Sequence, residues 1–277
     1  MLLADLTPKA LVFALQHRHK RSLGQNFLID ENITRAIARE VAQFGPSHLL
    51  EIGPGAGSLT LALLPLQKPY VALEKDDHCA NFLRHHFAGA GLSVVTGDAL
   101  HEPLPDFCYA QGNRALLVSN LPYNVASQIY FRFIDEDIPL CGMVLMFQRE
   151  VANRFVAKPG TKAYGILSVI GQYYHHIEHV VDVPPEAFKP APKVTSSVLR
   201  FSPRHRLLPK EREQAFRTLV HAAFSQRRKT LANSLAGFGG RSKEAWLEIL
   251  ESLGYPVTLR AENLTLNDFL RLLETMV

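Results

Sequence analysis

Apolar and polar positions along this chain follow two periods, and the switches between them lay out its elements. Ile33, Ile37 and Val41 recur every four residues after Asp30, a good helix N-cap. That spacing puts one apolar stripe on a helix and leaves the polar residues to its other faces. Leu49-Leu50-Glu51-Ile52 is instead a short, nearly continuous apolar run. Runs of the same kind follow at Tyr70–Glu74, Leu92–Thr96, Leu116–Ser119 and Val144–Phe147, with a helical stretch through Phe82 and Phe87 between the second and the third. Apolar strands alternating with helices predict an α/β fold, a mostly parallel sheet covered on both faces.

Beyond Phe155, Lys158-Pro159-Gly160 reads as a loop and Val180–Val183 as part of a strand. Pro184-Pro185-Glu186-Ala187-Phe188-Lys189-Pro190-Ala191-Pro192 reads as a stiff loop, because prolines donate no backbone hydrogen bond and suit neither helix nor inner strand. Val194–Phe201 returns as a strand. From about Pro203 the chain becomes helix-forming and basic: eleven Lys or Arg stand against two Glu between Arg200 and Lys243. Helices are expected around Trp246–Leu250 and Phe269–Leu273, parted by Gly254 and Pro256. The expected division is a first domain over 1–204, with a leader over 1–20, and a small all-helical domain over 205–277.

An apolar fraction of 47% in 277 residues is enough for a sizeable core. The net charge of +4 and a pI near 9.0 hint mildly at an anionic partner. Cys79, Cys108 and Cys141 are odd in number and far apart, which suits neither a disulfide framework nor a metal site. His175-His176-x-x-His179 falls in a strand, where alternation sends its members to different faces, so no metal is expected. No run reaches membrane-helix length. Leu11–Leu15 precedes the basic cluster His17-Arg18-His19-Lys20-Arg21, the reverse of a signal peptide's charge order. A soluble cytoplasmic protein with no membrane partner is expected.

Strand ends carry the candidate chemistry. Gly53-Pro54-Gly55-Ala56-Gly57 is a glycine turn leading from strand to helix, where the backbone can approach a ligand closely. It misses the dinucleotide spacing G-x-G-x-x-G and lacks the lysine of a P-loop. In parallel sheets ligands bind at the carboxyl ends of strands, and Gly53, Glu74, Asp98 and Asn120 all sit there. Glu74 suits a ribose diol. Asp98 suits an adenine amine, or is the N-cap of a helix, or does both. Asn120-Leu121-Pro122-Tyr123 offers an amide oxygen, a carbonyl directed by proline and an aromatic face. Together they form a receptor for a planar base with an exocyclic amine. Two acceptors on that amine draw it towards tetrahedral geometry and aim its lone pair. An asparagine is no general base, so the electrophile must already be strong. The sulfonium methyl of S-adenosylmethionine meets that need without a metal, and orientation supplies most of the rate.

These motifs carry a family resemblance. Gly24-Gln25-Asn26-Phe27-Leu28, Glu51-Ile52-Gly53-Pro54-Gly55, Asn120-Leu121-Pro122-Tyr123-Asn124, Lys162-Ala163-Tyr164-Gly165, Pro184-Pro185-x-x-Phe188-x-Pro190-x-Pro192-x-Val194, Gln226-Arg227-Arg228-Lys229-Thr230 and Arg260-Ala261-Glu262-Asn263 occur in order. In these the chain resembles the ribosomal RNA adenine dimethyltransferases of the KsgA type, which methylate two adjacent adenines near the 3′ end of the small-subunit rRNA. The resemblance implies a Rossmann-like class I methyltransferase sheet with a small C-terminal all-helical domain. It implies S-adenosylmethionine as cofactor, held by Asn26, Leu28, Gly53, Glu74, Asp98 and Asn120 with Gly55, Lys75 and Ala99 beside them. Asn120, Leu121, Pro122 and Tyr123 would hold the target adenine, and Phe188 would close on its other face. The implied partner is 16S rRNA in the small ribosomal subunit, with a role in subunit biogenesis, and a monomer is expected. The leader before the first motif is longer than is usual for the family.

Arg227, Arg228 and Lys229, beside Phe224, are the candidates for RNA phosphates. Their other readings are a solvated helix face, or one side chain turned inward to cap a carbonyl. Two rival functions are a large-subunit rRNA adenine dimethyltransferase and a non-catalytic ribosome-assembly factor. The Pro-rich loop and the Gln-Arg-Arg-Lys segment point away from the first, and the intact site argues against the second.

Overall fold

The computed structural model describes residues 6–15 and 25–276. The basic cluster His17–Arg21, Gly24 of the first motif and the start of the leader lie outside the described residues. The chain forms two compact units, Met1–Ala152 with Glu178–Pro203, and Asn153–Ile177 with Arg204–Val277.

The first unit is built on strands β1 (Phe27–Leu28), β2 (His48–Ile52), β3 (Tyr70–Glu74), β4 (Leu92–Thr96), β5 (Ala115–Asn120), β6 (Gly142–Gln148), β7 (His175–Val183), β8 (Phe188–Lys189) and β9 (Ser196–Pro203). Seven of them make one sheet in the order β4-β3-β2-β5-β6-β9-β7. β4 through β6 are parallel neighbours, and β9 returns antiparallel to β6. The apolar runs are inner strands because both faces are covered: Leu49, Leu50, Leu116, Leu117 and Leu145 are fully buried.

Helices α1 (Pro8–Ala14), α2 (Glu31–Gln43), α3 (Ser58–Leu63), α4 (Asp77–His86) and α5 (Ala126–Asp135) belong to this unit. Asp30 caps α2 as the sequence predicts, accepting from Asn32 N–H at 2.8 Å and Ile33 N–H at 3.3 Å. Such a cap contributes about 1 kcal/mol. The stripe of Ile33, Ile37 and Val41 packs with Leu49, Leu116, Val118, Val144 and Met146. α1 buries Leu11, Val12 and Leu15 with Phe27, Cys79, Leu83 and Phe87.

The Pro-rich segment is more ordered than a loop. Pro185–Ala187 makes one 3₁₀ turn, and Phe188–Lys189 forms β8, antiparallel to β1 with Leu28 opposite Phe188. Prolines flank these two residues, but each keeps its own N–H and can pair.

The second unit also corrects the expected division, by which 1–204 is one domain. Residues 153–177 pack with the C-terminal helices instead. They include α7 (Ile166–Tyr174), beside α8 (Lys210–Ala223), α9 (Leu231–Leu235), α10 (Lys243–Ser252) and α11 (Leu266–Glu274), while α6 (Arg149–Phe155) and the start of β7 run across the division. Aromatic burial is the reason. The Tyr173 ring lies 4.5 Å from that of Phe216, and its hydroxyl donates to the buried Glu213 at 3.0 Å. Trp246 and Phe269 are fully buried in the same unit.

Candidate active site

The glycine turn after β2 has the backbone its sequence calls for. Gly53, Gly55 and Gly57 take φ of +65°, +58° and +83°. A Cβ on Gly55 would also stand 2.7 Å from the Phe27 ring, so this position excludes a side chain twice over. The turn walls a cavity of about 140 Å³. Its lining brings together Asn26, Leu28, Gly53, Gly55, Glu74, Lys75, Asp98, Ala99, Asn120, Leu121, Pro122 and Tyr123.

Glu74 is buried, and its two oxygens accept backbone N–H groups, Oε2 from Gly55 at 2.9 Å and Oε1 from Asp76 at 2.8 Å. Burial raises its pKa and these donors oppose the rise. Lys75 N–H is a third backbone donor to it, and a carboxylate has roughly four acceptor positions, so about one stays available. Asp98 accepts from Lys75 Nζ at 2.7 Å and from Leu100 N–H at 3.0 Å, and these bonds hold its carboxyl below the usual range. No helix follows it directly, so it caps a turn rather than a helix, and it also lines the cavity. Asn120, at the end of β5, donates from Nδ2 to the Asn26 carbonyl at 3.2 Å, which orients the amide. Tyr123 is held by a 2.5 Å bond between its hydroxyl and Ser196 Oγ, and burial raises its pKa.

The cavity does not include Phe188. That ring is 3% exposed and packs in the core with Leu28 and Val183. The β1–β8 pairing sets it directly opposite Leu28, which does line the cavity.

Two residues of the site escaped the sequence reading. Glu51 lies in the cavity wall, fully buried, accepting from Thr60 Oγ1 at 2.6 Å and Tyr70 OH at 2.5 Å. Burial outweighs both donors and pushes its pKa up to about 7. The signal was a lone acid inside an apolar strand. Arg132 on α5 donates from Nη1 to the Ala99 carbonyl at 2.7 Å and from Nε to Glu136 at 2.6 Å. It clamps the turn that carries Asp98, a contact across 33 residues that no local pattern announces.

The basic triplet lies in the second unit. α8 ends at Ala223, and Arg227, Arg228 and Lys229 sit in the turns after it, not on a helix face. Phe224 ends the helix and packs on Tyr164 and Phe269 instead of prolonging it. Arg227 turns inward, donating to the carbonyls of Lys162 and Tyr164 and pairing with Glu262 at 3.6 Å. Arg228 and Lys229 are exposed. Among the described residues no group of His, Cys, Asp or Glu could hold a metal ion, and no helix is long and apolar enough to cross a membrane.

Residues 16–275 match the family model for ribosomal RNA adenine dimethylase. The chain belongs to this family. Two similar relatives are both ribosomal RNA small subunit methyltransferase A. The one from Desulfitobacterium hafniense is 42% identical over 257 residues, covering 93% of this chain and 92% of its own length. The one from Brucella abortus is 41% identical over 259 residues and covers 91% of each. Among solved structures, a dimethyladenosine transferase from Plasmodium falciparum superposes with a TM-score of 0.75 at 27% identity, over 90% of this chain and 96% of its own. The 23S rRNA methyltransferase ErmE shares the fold, with a TM-score of 0.67 at 24% identity over 91% of this chain and 99% of its own.

Proposed function

We propose that this family member dimethylates the N6 amines of two adjacent adenines near the 3′ end of 16S rRNA in the small ribosomal subunit, using S-adenosylmethionine. In this reading it works as a cytoplasmic monomer and contributes to subunit biogenesis. The observation that carries the proposal is a single cavity with a buried acid at the end of β3, a second acid after β4 and the Asn120–Tyr123 motif at the end of β5.

The donor set fits the cofactor. Glu74 offers its remaining acceptor position to a ribose diol, Asp98 accepts from an adenine amine, and the side-chain-free backbone at Gly53 and Gly55 admits the ligand closely. Asn26, Leu28, Lys75 and Ala99 complete that wall. When bound, S-adenosylmethionine supplies an activated methyl group. The protein's own contribution is then positional. Asn120 accepts from the target amine, with its amide held in place by Asn26. The carbonyl preceding Pro122 accepts the second amine hydrogen, and Tyr123, fixed by Ser196, stacks on the base. Holding the amine in line with the methyl group converts an encounter into an oriented reaction. The amine's proton leaves after transfer, so no side chain has to remove it beforehand.

Large-subunit enzymes share this fold, so the fold does not separate the two substrates. The relatives named for the small subunit, alike over nearly the whole chain, support the 16S reading. The test is methyl transfer from labelled S-adenosylmethionine to unmethylated small or large subunits, with the modified bases mapped. N6,N6-dimethyladenines in the small subunit alone are expected. Label confined to the large subunit, or no transfer to either, overturns the proposal.

A further inference from the structure

Helix α1 is anchored by Leu11, Val12 and Leu15, all buried. Phe13 lies between them in sequence and faces the other way, 54% exposed. Its ring has a partner nonetheless: Nζ of Lys189 stands 3.8 Å from the ring centroid. Lys189 is itself exposed and pairs in register with Phe27 across β1 and β8. Phe27 and Leu28 line the cavity. A half-exposed aromatic ring, with an ammonium group over one face, therefore sits beside the strand that lines the cavity.

α1 is already pinned by its three buried residues, and a solvent-exposed cation–π pair adds little to that. The chemistry matches single-stranded nucleic acid instead. Aromatic rings give unpaired bases a face to stack on, and lysines meet the phosphates that join them. A base that enters the cavity must leave its neighbours' stack, and those neighbours then need a new surface near the cavity.

We propose that Phe13 and Lys189 form a contact for the substrate RNA, Phe13 stacking on an unpaired base beside the target and Lys189 meeting its phosphate. This gives the leader helix a role in substrate capture, and it rests on the RNA reading above.

The test is binding of the full chain to unmethylated small subunits across a salt series, for wild type, Phe13→Leu, Phe13→Trp and Lys189→Ala. Calorimetry with S-adenosylmethionine and melting temperatures are measured alongside. Phe13→Leu keeps an apolar side chain but removes the stacking face, and it is expected to weaken binding about fivefold or more with the salt slope unchanged. Phe13→Trp is expected to bind like wild type. Lys189→Ala is expected to lower the slope by roughly 0.7–0.9. Cofactor affinity and melting temperature should stay at wild-type values throughout. Wild-type binding by Phe13→Leu, an unchanged slope in Lys189→Ala, or losses that track a fall in melting temperature overturn the proposal. A wild-type protein that does not bind the subunits at all refutes the RNA reading itself, and this contact with it.

Discussion

The strand ends of the sheet and the turn after α8 treat their polar residues differently. At the strand ends, residues far apart in sequence converge: Gly53, Glu74, Asp98 and Asn120 line one cavity. In the turn, adjacent residues part. Arg227 folds back onto the carbonyls of Lys162 and Tyr164, while Arg228 and Lys229 face solvent. The cause is the backbone that carries each set. Parallel pairing fixes every strand's register, so the same end of each strand reaches the same edge of the sheet. A turn has no such rule. Its side chains go wherever an unsatisfied carbonyl or carboxylate accepts them.

The largest effect expected from this contrast is at the strand ends. Glu74→Ala removes a buried acceptor and should weaken S-adenosylmethionine binding by about 1.5–3 kcal/mol, seen by calorimetry. Unchanged affinity would detach β3 from the cofactor. In the turn, replacing Arg228 and Lys229 together by Ala should flatten the plot of log RNA affinity against log salt by about 1.4–1.8 units. An unchanged slope would make both residues a plain solvated surface. The smallest effect belongs to Arg227→Ala. It should cost about 1 kcal/mol in chemical denaturation, since a half-exposed guanidinium is partly screened, and leave the salt slope as it was. A slope that falls with Arg227 as much as with its neighbours would erase the distinction within the turn.

The strands of the sheet and the helix behind Asp30 were legible because their apolar periods report burial directly. The glycine turn was legible because positive φ selects glycine. Contacts whose partners are remote in sequence were not. Nothing near Arg132 points to the Ala99 carbonyl, and nothing near Tyr173 announces Glu213 and Phe216, which draw residues 153–177 into the helical unit. The pairing around Phe188 was hidden as well: the ring is buried opposite Leu28, where β8 pairs with β1. Prolines concealed that strand, because they suggest a break even where two residues between them can still pair.

In the proposed reaction the strand-end cavity orients an amine rather than deprotonating it, and Asn120 does so. Single-turnover methyl transfer by Asn120→Ala, at saturating S-adenosylmethionine and unmethylated small subunits, tests it most directly. Cofactor affinity is measured on the same preparation, because Asn120 also borders the cofactor wall. The predicted result is a rate lower by about a hundredfold or more, with cofactor and RNA binding changed far less. Transfer at the wild-type rate would remove Asn120 from the reaction.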